Sequence, residues 1–220
     1  MKNKILVVLI LGVLSTSVFS CSKTGNEVSQ LNSSQPIPSA INVTAQTDKI
    51  KFKTDGGSDL YALKPQADGT KLVDGNDKEL ARIKVDKPGR IKIKNASDKV
   101  LGYVVTAKGE WKLESDKNKE LYVLKRENDG NYKLQYFGNK EIYRIQTRNN
   151  GLEIGTPDNK LVYTVRVKEG KTSLINPNSK TTLYTKFEIS PIAFSCLGFD
   201  ILSREQRAAL AYAVNSTGGQ

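Results

Sequence analysis

Leu121-Tyr122-Val123-Leu124-Lys125, a turn at Asp129-Gly130, and then Tyr132-Lys133-Leu134 make up the stretch that decides the fold. Apolar and polar residues alternate on both sides of a dipeptide that accepts positive φ, the pattern of two antiparallel strands joined by a tight turn. The arrangement recurs about every 20 residues, the mark of a repeat architecture. Leading segments align at Leu60-Tyr61-Ala62-Leu63-Lys64, Leu80-Ala81-Arg82-Ile83-Lys84, Leu101-Gly102-Tyr103-Val104-Val105, Ile142-Tyr143-Arg144-Ile145-Gln146, Leu161-Val162-Tyr163-Thr164-Val165 and Leu183-Tyr184-Thr185-Lys186. Following segments align at Thr70-Lys71-Leu72, Ile91-Lys92-Ile93, Trp111-Lys112-Leu113, Leu152-Glu153-Ile154 and Thr172-Ser173-Leu174. Asp68-Gly69, Pro88-Gly89, Lys108-Gly109, Asn150-Gly151 and Glu169-Gly170 separate the two kinds.

Each repeat is therefore one β-hairpin, and short polar turns such as Gly75-Asn76-Asp77-Lys78 join the hairpins. With Ile50-Lys51-Phe52-Lys53 as the second half of an earlier repeat, about 14 short strands are expected between Lys49 and Lys186, in an up-and-down antiparallel meander. Alternation assigns the faces. Tyr61 and Leu63, Tyr122 and Leu124, Tyr143 and Ile145 share one side, as do Ile91 and Ile93, Trp111 and Leu113, Tyr132 and Leu134. A long sheet with one apolar face must cover it by curling into a barrel, folding into a sandwich or breaking into propeller blades. A small β-propeller or an open meander is the alternative to a barrel. Two repeats per blade, however, give about three blades, fewer than propellers use.

The C-terminus favours the barrel. Ser190-Pro191 fits an N-cap followed by a first-turn proline, and Ser203-Arg204-Glu205-Gln206 has the form of a capping box. Between and after them run Ile192 to Leu202 and Arg207 to Val214, almost wholly apolar, as one kinked helix or two short ones. A helix apolar all round belongs in a core. A barrel closed around a C-terminal hydrophobic helix satisfies both halves of the sequence. That arrangement resembles the tubby-like barrel of the tubby, phospholipid-scramblase and LURP-one-related families. The resemblance covers about Lys49 to Val214, is architectural, and transfers no functional residue. The chain also looks like uncharacterised bacterial lipoproteins with serial Leu-Tyr-x-Leu-Lys hairpins.

The N-terminus points to export. Lys2 and Lys4 precede an apolar run from Ile5 to Leu14, and small residues follow, the parts of a secretory signal. The run is about 10 residues, half of what a membrane-spanning helix needs. Val18-Phe19-Ser20-Cys21 resembles the lipobox of bacterial lipoproteins, which implies an acylated Cys21. Ordinary cleavage before Cys21, giving a soluble secreted or periplasmic protein, fits the same residues. The stretch to about Lys49 is rich in Ser, Asn, Thr and Gln and too polar to order itself. The expected organisation is a signal peptide (1–20), a lipid-anchored flexible tether (21–48), a β-hairpin barrel (49–189), a helical segment (190–214) and a disordered tail (215–220).

The chain has 34 Lys and Arg, 23 Asp and Glu and no histidine, for a net charge of +11. Cleavage removes Lys2 and Lys4 and leaves +9. Without histidine there is no Ser-His-Asp triad and no His-based metal site. No Cys-x-x-Cys and no phosphate-cradling Gly-rich loop occurs, so no cofactor or metal is implied. Glu114 and Asp116 fall in a polar turn, Asp200 is expected to bond nearby backbone or Arg204, and Cys196 reads as a buried inert thiol. What remains is charge. Lys64, Lys84 and Lys125 after leading segments, with Lys71, Lys92, Lys112 and Lys133 in following ones, occupy equivalent positions on the polar face. They are candidates for a basic stripe toward an anionic surface, where each lysine adds about 1 kcal/mol. Nucleic acid is not the expected partner, because the aromatics sit on the apolar face and single-strand binding needs them exposed.

Two functions are expected. The first is a membrane-tethered, non-catalytic envelope domain that binds an anionic lipid, cell-wall polymer or envelope protein. The alternative is a lipid-handling protein, which needs room for an acyl chain beside Phe194 and Phe199.

Overall fold

The computed structural model describes residues 48–149 and 151–219. The expected signal peptide, Cys21 and most of the tether lie outside them. Fourteen strands form one closed antiparallel barrel in which every neighbour in sequence is a neighbour in space. They are β1 (Ile50–Lys53), β2 (Asp59–Gln66), β3 (Gly69–Asp74), β4 (Glu79–Lys87), β5 (Arg90–Asn95), β6 (Val100–Ala107) and β7 (Glu110–Ser115). Around the other half run β8 (Glu120–Arg126), β9 (Tyr132–Tyr136), β10 (Lys140–Arg148), β11 (Gly151–Gly155), β12 (Leu161–Lys168), β13 (Lys171–Ile175) and β14 (Thr181–Thr185). β1 closes the barrel against β14. Neither the propeller nor the open meander is adopted.

A repeated irregularity curls the sheet. Register shifts recur where each leading strand begins, leaving Leu60, Leu80, Leu101, Leu121, Ile142, Val162 and Thr182 without a directly opposed partner. A bulge of this kind bends its strand and increases the local twist. Seven of them, one per repeat, bend an otherwise flat sheet into a closed wall.

The tight turns gather at the near end of the barrel, where β1 also begins. The far end carries seven five-residue loops: 54–58, 74–78, 95–99, 115–119, 136–140, 156–160 and 176–180. In the loop 74–78 the Asp74 N–H donates to the Lys78 carbonyl (2.9 Å) and the Asp77 N–H to the Asp74 carbonyl (3.1 Å). Asp77 takes a left-handed φ of 66°, as do Asp98, Asn118, Asn139, Asn159 and Ser179 at the matching places, residue types that tolerate it.

The interior is a helical hairpin. The chain leaves β14 at the near end and forms α1 (Pro191–Ser195), a turn of 3-10 helix (Cys196–Gly198) and α2 (Arg204–Ser216). Ser190 Oγ accepts from the Ala193 N–H, and Ser203 with Gln206 completes the capping box. α1 packs on β11, β12 and β13, whereas α2 packs on β4 to β7. Two inward positions on that side are small, Ala81 in β4 and Gly102 in β6, where β8 and β10 carry Tyr122 and Tyr143. Together with Ala208, Ala209, Ala211 and Ala213, all buried, they let helix and wall approach. Gly198 lies so close to the opposite wall that a Cβ there would meet Ile154, Tyr163 and Leu174 at 3.1–3.2 Å.

Of the expected tail, residues 215–219 are among those described, and they meet the barrel. α2 runs on to Ser216, the Trp111 Nε1–H donates to Thr217 Oγ1 (3.2 Å), and the Tyr132 hydroxyl donates to the Gly219 carbonyl (2.6 Å). Buried aromatic donors need acceptors, and the last turn of the chain supplies them. Asn215 Oδ1 also accepts from the Ser190 N–H (2.9 Å), tying the end of α2 to the start of α1.

Candidate functional site

The outer wall carries all seven candidate lysines. Lys64 stands opposite Lys71, Lys84 opposite Lys92 and Lys125 opposite Lys133 across neighbouring strands. Directly opposed like charges repel, and carboxylates relieve most of them. Lys71 pairs with Glu79 (2.9 Å), Lys84 with Asp68 (2.8 Å), and Lys133 with Glu127 (2.9 Å). Lys92 pairs with Asp86, and Lys112 with both Glu110 (3.1 Å) and Glu120 (3.2 Å). The hydrogen bond from Lys84 holds the Asp68 carboxyl below its usual range, that from Lys71 does the same for Glu79, and those that Lys112 donates to Glu110 and Glu120 push its ammonium up. Lys64 and Lys125 have no ion pair among the described residues. The stripe is thus a belt of paired charges, in which five of the seven lysines spend their charge on the wall itself.

A second set of lysines escapes this pairing. Lys78, Lys99, Lys119, Lys140, Lys160 and Lys180 each close a far-end loop, leaving Ser58 alone at the seventh position. All six are exposed, and none has an ion pair among the described residues. Their backbones are fixed from the loop start. The Lys78 N–H donates to Asp74 Oδ1 (2.9 Å), Lys99 to Asn95 Oδ1 (2.9 Å) and Lys119 to Ser115 Oγ (3.2 Å). Likewise Lys160 donates to Thr156 Oγ1 (3.1 Å) and Lys180 to Asn176 Oδ1 (3.0 Å). The main chain is held while the ammonium is left to solvent. Because the barrel is closed, equivalent loop positions lie around one rim. With Lys117, seven lysines of these loops face four carboxylates outside ion pairs, Asp55, Asp74, Asp116 and Asp158. The sequence reading missed this rim because it scored lysines by strand position. The signal was present as a lysine at or just before the start of six of the seven leading strands.

Protecting a sheet edge is a common reason for lysine on a strand. A closed barrel has no edge to protect, so that reason does not account for the rim.

The mouth inside the rim is plugged. The Tyr163 hydroxyl donates to Asp200 Oδ2 (3.1 Å), and Arg207 reaches both the Leu197 carbonyl (3.2 Å) and Asp200 Oδ1 (3.5 Å). The partner of Asp200 is therefore Arg207, whereas Arg204 lies by Glu205 (3.6 Å). Tyr143 stacks on Phe199 at 5.5 Å, Phe52 lies 6.2 Å from Phe194, and both helix phenylalanines are fully buried. Cys196 is buried beside them, and burial pushes its thiol well above the usual range.

Among the described residues, clefts of about 600, 500 and 250 Å³ open on the outer surface, and neither Phe194 nor Phe199 lines these. The first of these lies at the near end between Arg148, Arg166, Lys168 and Pro191. Arg148 is paired there with Glu153 (2.9 Å). Glu114 lies 3.7 Å from Arg90 and stands opposite Glu120 across β7 and β8. Among the described residues no group of three or more His, Cys, Asp or Glu is placed to hold a metal ion.

No family model and no curated protein matches the chain. A solved X-ray structure of a protein from Arabidopsis thaliana is similar to it, at 12% identity and a TM-score of 0.37, over 63% of this chain and 80% of that one.

Proposed function

We propose that this chain is a membrane-tethered, non-catalytic envelope domain that presents the far end of its barrel to an anionic partner. The observation that carries the reading is the rim of Lys78, Lys99, Lys119, Lys140, Lys160 and Lys180, exposed and outside ion pairs among the described residues, whereas five of the seven wall lysines are paired. Export and acylation at Cys21 belong to the same proposal, as does kinship with the tubby-like barrels, whose apolar C-terminal helix has a counterpart in α1 and α2. The dense packing around Phe194 and Phe199 favours surface binding over an acyl chain held inside.

Retention on a heparin column, a soluble polyanion, tests it. Two variants of the chain with Cys21→Ser lose the same charge from different places. One carries Lys→Gln at the six rim positions, and the other Lys→Gln at Lys64, Lys71, Lys84, Lys112, Lys125 and Lys133. The rim variant elutes at much lower salt than the wall variant. Equal shifts in the two would mean that net charge alone drives retention, and would remove the rim from the proposal.

A further inference from the structure

We infer that the far end of the barrel docks on an anionic lipid bilayer, with its lysines on the headgroups and Phe137 and Ile201 in the interface; this rests on the proposed anion-binding rim. Lysines alone fit a soluble polyanion as well as they fit a membrane. The apolar side chains of the same end decide between them. Leu60, Leu101, Tyr136, Phe137, Leu161 and Ile201 are exposed there, Phe137 at 56% and Ile201 at 50%. Of the eight large apolar residues exposed among the described residues, Val85 and Val167 alone belong to the near end. Exposed apolar groups at a basic rim have nothing to bury against in a hydrated polyanion, but they match the boundary between headgroups and acyl chains.

The parts are local to one another. The Lys119 ammonium lies over the Phe137 ring at 5.8 Å, and the Phe137 N–H is held by the Leu121 carbonyl (3.0 Å). Tyr136 packs edge-on against Tyr122 at 5.3 Å. Ile201 belongs to the link between the 3-10 turn and α2, which the Asp200, Tyr163 and Arg207 contacts pin across the mouth. The side chains that meet the bilayer are therefore mounted on rigid backbone, so little is lost in ordering them.

Flotation of the chain with Cys21→Ser on phosphatidylcholine vesicles, with and without phosphatidylglycerol, tests the inference. The chain floats with the anionic vesicles, not with the neutral ones, and is released by salt. Lys119→Gln weakens vesicle binding about fivefold. Phe137→Ser and Ile201→Ser weaken it too, yet leave elution from heparin unchanged, and both sites are exposed enough to spare the fold. Heparin retention without flotation, or flotation indifferent to Phe137→Ser and Ile201→Ser, overturns bilayer docking and leaves the anion-binding rim standing. Failure on both heparin and anionic vesicles overturns the two together.

Discussion

Deleting residues 217–220 removes a stretch that composition alone marks as loose, and the structure gives the deletion a cost. The Trp111 indole is fully buried, and its N–H loses Thr217 Oγ1. A buried donor left without an acceptor costs about 1–3 kcal/mol. Tyr132 loses the Gly219 carbonyl, an ordinary hydrogen bond of about 0.5–1.5 kcal/mol. The deletion therefore costs about 2–4 kcal/mol of a total stability that for most domains is about 5–15 kcal/mol. In urea, with a slope of about 2 kcal/mol per molar, the midpoint falls by about 1–2 M. The chain has one tryptophan, so the same titration reports the site directly. Trp111 emission shifts to longer wavelength in the native baseline as water reaches the indole. Thr217→Val, which keeps the shape and removes the acceptor, reproduces the larger part of the loss. An unchanged midpoint and an unchanged emission maximum after the deletion would refute the idea that the tail closes the near end.

Three more outcomes follow from other parts of the barrel. Gly102→Ala destabilises by about 3 kcal/mol in the same assay, because its φ is 154° and a Cβ would stand 2.2 Å from the Glu114 carbonyl oxygen. Gly130→Ala, with a φ of 82° and nothing within 4 Å, loses distinctly less, and parity between the two would contradict the β6–β7 geometry. Asp59 bonds Lys53 (2.7 Å) and Lys51 (2.9 Å), which hold its carboxyl down to about 2. A depressed carboxyl contributes its full stability above the unfolded value of about 3.9 and loses it as the pH falls toward about 2. An NMR titration of Asp59 giving an ordinary carboxylate value would show the ion pairs to be absent in solution. Finally, in the chain with Cys21→Ser, the Cys196 thiol reacts with a thiol reagent only at the rate of global unfolding, and rapid modification under native conditions would place it at the surface.

Most of the barrel was legible because its signals are local. Asp129-Gly130 and the alternation around it need no partner to be read, and Ser190, Pro191 and the Ser203 capping box mark helix starts within four residues. The bulges were not legible. Leu80 and Leu121 look like ordinary first residues of a strand, and only the register against β3 and β7 shows them to be unpaired. The ion pairs of the wall were not legible for a similar reason, since Lys84 and Asp68 lie 16 residues apart and meet across a hairpin. The contacts of the tail were not legible because Thr217 and Gly219 meet Trp111 and Tyr132, partners about 100 residues away in sequence. Small polar residues signal disorder only when nothing distant needs their hydrogen-bonding groups.

Acetylation footprinting of the lysines, read by mass spectrometry with and without anionic vesicles, tests the central claim most directly. The account predicts that Lys78, Lys99, Lys119, Lys140, Lys160 and Lys180 become protected on vesicles, while Lys64 and Lys125, which also lack ion pairs among the described residues, keep their reactivity. Protection of Lys64 and Lys125 with the rim left reactive would contradict it and return the contact face to the wall of the barrel.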